Sequence, residues 1–104
     1  MPHIQIELPR AALTEFCRRW MITEFALFGS VLRDDFGPES DVDVLVTYAP
    51  DAEWSLLDHV RMERELGQLL GRRVDAMTRR SIERSHNERR RGEILSSAVS
   101  VAGA

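Results

Sequence analysis

The chain has 104 residues, 43% of them hydrophobic, which is enough for one small core and excludes a second. Its single cysteine excludes an internal disulfide, and no apolar run approaches the roughly 20 residues that span a bilayer. No N-terminal segment resembles a secretory leader, so a cytoplasmic location is expected. These limits predict one domain over 1–104, with a core at about 8–97 and a frayed small-residue tail at 98–104.

The formal charge of −3 is unevenly distributed, because acids dominate the first 60 residues and arginines dominate the rest. In the basic half the arginines alternate with glutamates, a pattern typical of a solvated helix face. All 14 basic residues are arginine, which excludes a Walker-type phosphate loop, since that loop requires a lysine. A bound triphosphate would therefore be held by other groups.

Apolar residues recur at helical spacing over residues 8–20, which predicts a first helix. A short aromatic-rich run at 22–28, ended by Gly29, predicts a buried strand. After a polar turn at 34–40, alternating valines predict a second strand at 41–48.

The second half begins with an apolar set at helical spacing over 54–70, ended by Gly71 as a candidate C-cap. Residues 72–78 predict a third strand, and the chain from Arg79 onward predicts helix in two pieces broken near 86–87. The fold class is therefore α/β (α+β), with a short mixed sheet flanked by helices.

The relative direction of the strands decides whether the polar motifs meet. If the first two strands are antiparallel, Gly29 and Ser30 lie beside Asp41 and Asp43; if they are parallel, a strand length of roughly 17–20 Å separates them. If the third strand runs parallel to the second through a crossover helix, Asp75 reaches the same edge. Three carboxylates would then share one site.

Clustered carboxylates repel one another, so their convergence predicts hard divalent cations such as Mg²⁺. Two ions about 3.5–4 Å apart can clamp an in-line displacement at phosphorus. Asp41 and Asp43 would bridge both ions, and Asp75 would bind one ion and take the proton from an attacking hydroxyl. Gly29 lets the backbone approach the phosphates, and Ser30 can donate hydrogen bonds to them.

Two nearby polar residues have alternative roles. Arg33 either contacts phosphate or pairs with an acid of the adjacent turn. Ser40 either touches the phosphate or caps the turn, and capping is favoured. The histidines His3, His59 and His86 lack metal-ligand spacing and are interpreted as surface residues, and Cys17 is interpreted as an inert core thiol.

Three segments together resemble the signature of the DNA polymerase β-like nucleotidyltransferase superfamily: Phe28-Gly29-Ser30, Asp41-Val42-Asp43 and Val74-Asp75-Ala76. The short length, Arg33 and the run 40–46 are similar to the minimal nucleotidyltransferase (MNT) branch in particular. The resemblance implies Mg²⁺-dependent transfer of AMP from ATP to a hydroxyl. It also implies a cognate HEPN ribonuclease toxin as partner, with a toxin tyrosine as acceptor, so that the chain acts as an antitoxin.

Two other functions compete with this interpretation. A binding module would neutralise a toxin by occlusion, without chemistry. Nucleic-acid binding through the basic second half would lose affinity steeply with salt, but the acidic first half argues against it. Alanine replacement of both Asp41 and Asp43 separates enzyme from occluding module, since neutralisation that survives would favour occlusion.

Overall fold

The computed structural model describes residues 4–103. Those residues form four α-helices and four strands. In order they are α1 (Arg10–Arg19), β1 (Ile22–Phe28), a 3₁₀ turn (Gly29–Leu32), β2 (Val42–Tyr48), α2 (Leu56–Leu70), β3 (Val74–Thr78), α3 (Arg79–Glu83), α4 (Glu88–Ser97) and β4 (Val99–Ala102). Within residues 4–103, no helix has the length and apolar character that crossing a membrane requires.

The strands form one mixed sheet in the order β3-β2-β1-β4. β1 and β2 are antiparallel, and β2 and β3 are parallel, joined by the crossover helix α2. Both directions agree with those that the predicted site required. The mixed sheet flanked by helices confirms the predicted fold class.

Each face of the sheet is covered by a different pair of helices. Val42, Val44 and Val46 alternate along β2 and pack against buried residues of α1 and α2. The opposite face carries Leu45, which packs with residues of β1, α3 and α4. That second cluster comprises Ala26, Phe28, Leu45, Ile82 and Ile94. The consecutive buried residues 44–46 of β2 reflect this burial on both sides.

Local capping determines where the helices begin and end. Ser55 and Asp58 form a reciprocal capping box at the start of α2. Gly71 ends α2 in the left-handed conformation, with φ of 66°, as predicted. The Asn87 side chain accepts a hydrogen bond from the backbone of Arg90, which starts α4 and confirms the predicted break near 86–87. Most other predicted bounds differ from the observed ones by one or two residues.

The prediction of a frayed tail at 98–104 is wrong over the residues that the structure describes. β4 pairs antiparallel with β1, with Leu27 opposite Val99 and Ala26 opposite Ser100. Gly103 then passes so close to Thr23 that a Cβ atom would overlap the Thr23 carbonyl oxygen. Four residues are too short for a sequence pattern to distinguish a strand from a tail. The pairing depends on the free edge of β1, which is remote in sequence. Ala104 lies outside the described residues.

Candidate active site

Gly29 is the point at which β1 turns away from the sheet. Its φ of +76° lies in the left-handed region that favours glycine. The register places Phe28 opposite Asp43, so the Asp43 side chain extends over the glycine. A Cβ atom on Gly29 would overlap a carboxylate oxygen of Asp43 and lie 3.3 Å from its Cγ. The predicted meeting of the glycine turn with the second strand is therefore confirmed.

The aspartates of β2 and β3 are direct neighbours in the sheet. Asp43 and Asp75 are paired positions of the parallel strands, so both side chains project from the same face. Asp41 lies just before β2, half-buried, with a carboxylate oxygen 3.9 Å from the Nε atom of Arg73. The Asp75 side chain is exposed, which leaves it accessible from outside the sheet.

The surroundings of Asp43 shift the pKa of its carboxyl. Burial raises the pKa of its carboxyl above 3.8, and the negative charges of Asp75 and Asp41 raise it further, while Arg33 and Arg90 act in the opposite direction. Because the folded state favours the protonated form, ionisation of Asp43 reduces stability. The penalty is absent below the ordinary pKa of 3.8, grows as pH rises toward the raised value, and is fully present above that value.

The predicted nucleotide contacts occupy different positions around Gly29. Ser30 is half-buried within the 3₁₀ turn, and its carbonyl accepts a hydrogen bond from Arg33 N at 2.9 Å. The exposed Arg33 guanidinium pairs with Asp35 at 3.2 Å. The Ser40 hydroxyl accepts a hydrogen bond from Gly37 N at 3.0 Å, which is the capping role that the sequence favoured.

Arg90 is a neighbour of the site that sequence reasoning missed. The run 89–91 has the composition of a solvated helix face, and no local pattern distinguishes its middle residue. Packing of α4 on the sheet brings Arg90 close enough to lower the pKa of Asp43. A cavity of about 230 Å³ also lies between α4 and the glycine turn, lined by Phe28, Gly29, Leu32, Arg33, Glu93, Ile94 and Ser97.

The chemistry of this edge suits a hard divalent cation. Its donors are carboxylate oxygens, the ligands that Mg²⁺ prefers, and the raised pKa of Asp43 reflects burial together with the negative charge of its neighbours, which a cation would neutralise. Within residues 4–103, no three acidic, histidine or cysteine side chains stand close enough to form a complete metal site. The Asp41 carboxylate lies near Arg73. A metal site formed by all three aspartates would therefore require the Asp41 side chain to rotate toward Asp43.

A glycine turn, the paired carboxylates of Asp43 and Asp75, and the charges of two arginines come together at one sheet edge. The sequence profile of the nucleotidyltransferase domain matches residues 10–101. The chain therefore belongs to the nucleotidyltransferase domain family, and it is an enzyme of that class.

Relatives and solved structures agree with this assignment. A protein of Methanocaldococcus jannaschii named as a candidate protein adenylyltransferase is 40% identical over 76 residues, 73% of this chain and 75% of that protein. Protein adenylyltransferase MntA of Thermococcus cleftensis is 36% identical over 69 residues, 66% of this chain and 68% of that protein. A solved structure of a candidate minimal nucleotidyltransferase has a TM-score of 0.68 at 34% identity and covers 88% of each chain.

A more distant structure shares the fold alone. It is a tri-AMPylated Shewanella oneidensis HEPN toxin in complex with an MNT antitoxin, with a TM-score of 0.59 at 18% identity. The match covers 90% of this chain and 69% of that chain. The predicted likeness to minimal nucleotidyltransferases is confirmed by these comparisons.

Proposed function

We propose that this chain is a cytoplasmic, Mg²⁺-dependent adenylyltransferase that moves AMP from ATP to a tyrosine hydroxyl of a cognate HEPN toxin and thereby acts as its antitoxin. The observation that carries the proposal is the seating of Asp43 over Gly29 with Asp75 beside it on the next strand. The names of the relatives support the reaction class. The partner is supported by the distant complex of the same fold, in which an MNT antitoxin accompanies an AMPylated HEPN toxin.

The proposed metal ligands are the carboxylates of Asp41, Asp43 and Asp75. Bound Mg²⁺ would neutralise the triphosphate and make the α-phosphorus a better electrophile. Asp43 is central to this set because the negative charges of the other two both act on its carboxyl. Relief of that repulsion would favour cation binding at this edge.

The proposed phosphate contacts come from the turn and from α4. At Gly29 the space that a side chain would fill is taken by the Asp43 carboxylate, so a phosphate would approach the turn beside that carboxylate. Ser30 would donate hydrogen bonds from its amide and hydroxyl groups. Arg33 and Arg90 supply positive charge that acts on Asp43 and would hold the anionic oxygens. Ser40 stays a weaker proposed contact, since its hydroxyl is occupied within the turn.

Asp75 is the proposed proton acceptor. Its exposed position lets a hydroxyl on a large protein substrate reach it. The hydroxyl oxygen forms a bond to the α-phosphorus of ATP, the bond from that phosphorus to the bridging oxygen breaks, and pyrophosphate leaves. The hydroxyl proton passes to Asp75. The products are an adenylylated tyrosine and pyrophosphate.

The test is transfer of label from α-labelled ATP, with Mg²⁺, to the toxin encoded by the adjacent gene. We expect a labelled tyrosine with the wild-type chain and background labelling with Asp43→Asn or Asp75→Asn. Asp51→Asn is a matched control, because Asp51 is an exposed acid in the turn after β2, away from Gly29. Label found on a small molecule and not on the toxin would contradict the proposed acceptor.

Toxin neutralisation distinguishes the enzyme from a module that acts by occlusion. The double variant Asp41→Ala, Asp43→Ala should bind the toxin without inhibiting its ribonuclease activity. If neutralisation by this variant equals that by the wild type, occlusion replaces catalysis as the mechanism.

A further inference from the structure

β3 is an edge strand, and the backbone groups on its free side are bonded by side chains of α2. Ala76 N donates a hydrogen bond to Glu63 Oε2 at 2.7 Å. The carbonyl oxygen of Ala76 lies 2.9 Å from His59 Nε2. Glu63 and His59 are four residues apart on α2, so both lie on the helix face toward β3. The two side chains thus take the place of a missing neighbouring strand.

The direction of the hydrogen bond between His59 and Ala76 follows from the Ala76 carbonyl, which can only accept. Burial and the nearby charges of Asp58 and Glu63 raise the pKa of Tyr48 to about 12, so its hydroxyl keeps its proton. That hydroxyl lies 3.0 Å from His59 Nδ1. Because a carbonyl oxygen only accepts, His59 Nε2 carries a proton and donates it to the Ala76 carbonyl. The sequence-based interpretation of His59 as a surface residue is therefore wrong: it is half-buried and bonded at both nitrogens.

The position held by this network is next to Asp75. Among residues 4–103 the Asp75 carboxylate takes part in no ion pair, so its placement depends on its own backbone. On one side that backbone pairs with β2, where Asp75 is opposite Asp43. On the other side, within the part of the chain that the structure describes, the adjoining peptide groups of Ala76 are held only from α2.

We propose that Glu63 and His59, with Tyr48 behind the histidine, are positioning residues for Asp75. By bonding both backbone groups of Ala76 they hold β3 in the register that sets Asp75 beside Asp43. This inference rests on the proposed function, because it assigns Asp75 to the metal and acceptor site. Loss of a partner that orients a metal ligand typically lowers metal affinity or activity about 10- to 100-fold.

The central variants are Glu63→Ala, which removes the acceptor for Ala76 N, and Glu63→Gln, which keeps an oxygen at the same place. Glu65→Ala is the matched control. Glu65 lies on the same helix and accepts hydrogen bonds of 2.6 Å from Arg19 and Trp20, so it joins α2 to α1 and not to β3. If Glu63→Ala does not fold, Tyr48→Phe takes its place, since it removes one hydroxyl and frees His59 to adopt the other tautomer.

Amide hydrogen exchange of the metal-free chain provides a readout that needs no activity. We expect the Ala76 amide to exchange faster in Glu63→Ala than in the wild type, with recovery in Glu63→Gln and no change in Glu65→Ala. Mg²⁺-dependent ATP binding, measured by calorimetry, should weaken about 10-fold or more in Glu63→Ala alone. In toxin labelling, kcat should fall while KM for the toxin changes little. Tyr48→Phe should show the same pattern with a smaller loss.

The outcomes separate the two proposals. If the wild type binds Mg²⁺ and ATP but labels no toxin, the proposed acceptor fails, and the binding and exchange measurements still decide the positioning role. Equal binding by Glu63→Ala and the wild type would overturn the positioning proposal even if toxin labelling succeeds. An equal loss of binding in Glu65→Ala would overturn it as well, since the effect would then reflect general destabilisation. A wild type that binds no Mg²⁺ and ATP would overturn both.

Discussion

Replacing Gly29 by alanine separates backbone strain from damage to the site. Gly29 has a φ of +76°, where a residue with a Cβ atom costs about 1–2 kcal/mol. For a domain of this size that cost lowers Tm by roughly 4–16 °C. The new methyl group would also overlap the Asp43 carboxylate, which is the movable end of a side chain. The carboxylate must therefore move away from the position it needs for the proposed chemistry.

Two other glycines serve as matched controls. Gly71 has a φ of +66°, and a Cβ atom there would meet nothing within 4 Å, so Gly71→Ala has the strain without the overlap. Gly37→Ala has neither, because it also meets nothing within 4 Å and its φ lies outside the left-handed region. We expect Gly29→Ala and Gly71→Ala to melt at similar, reduced temperatures and Gly37→Ala to melt close to the wild type.

The deciding assays are thermal unfolding and labelling of the toxin by ATP, carried out below the Tm of every variant. Gly29→Ala should lose transfer by on the order of 10²-fold, the typical effect of misplacing a reacting group by about 1 Å. Gly71→Ala and Gly37→Ala should keep transfer within a few-fold of the wild type. Equal transfer by Gly29→Ala and Gly71→Ala would refute the contact between the turn and Asp43 as the basis of the site.

Asp43, Arg72 and Cys17 provide three further tests. Asp43→Asn should raise the Tm of the metal-free chain at pH 7, with the gain vanishing below pH 3.8, because only ionised Asp43 is penalised; a lower Tm at pH 7 would contradict this. Arg72→Ala should lower the free energy of unfolding in urea by about 1–3 kcal/mol. It removes hydrogen bonds of 2.7 and 2.9 Å to two turn carbonyls and a guanidinium 4.3 Å from the Phe36 ring centre. Arg72→Lys should restore little of this, and full recovery would argue against the planar contacts. Burial raises the pKa of Cys17 to about 11, so a disulfide reagent at pH 8 should react with it only after unfolding, and prompt reaction in the folded chain would refute that.

Most of the helices and strands could be predicted from local sequence patterns. The alternating valines of β2 and the helical spacing before Gly71 predicted β2 and α2 to within two residues of their observed bounds. Local pattern succeeds here because burial repeats every two residues on a strand and about every 3.6 on a helix, and both periods can be read within one element. β4 was missed because its four residues are too few to show a period, and its partner strand is more than 70 positions away.

The candidate site, too, could be predicted from local sequence only in part. Gly29, Asp41, Asp43 and Asp75 stand in short motifs whose residue types and spacing already indicate phosphate and cation chemistry. The pairing of Asp43 with Asp75 and the approach of Asp43 to Gly29 required the directions of three strands, which the sequence left open and the sheet decided. Arg90 lowers the pKa of Asp43, and no residue near it in the sequence indicates this effect.

By itself, then, the sequence determined the periodic elements, the turn chemistry and the acidic motifs, since each depends on residues close together along the chain. Only the tertiary structure decided which motifs are neighbours. It also decided which charges act on the half-buried Asp43 carboxyl and which side chains bond the strand that carries Asp75. Those features depend on burial and on contacts between distant segments, and such contacts exist only once the helices have packed on the sheet.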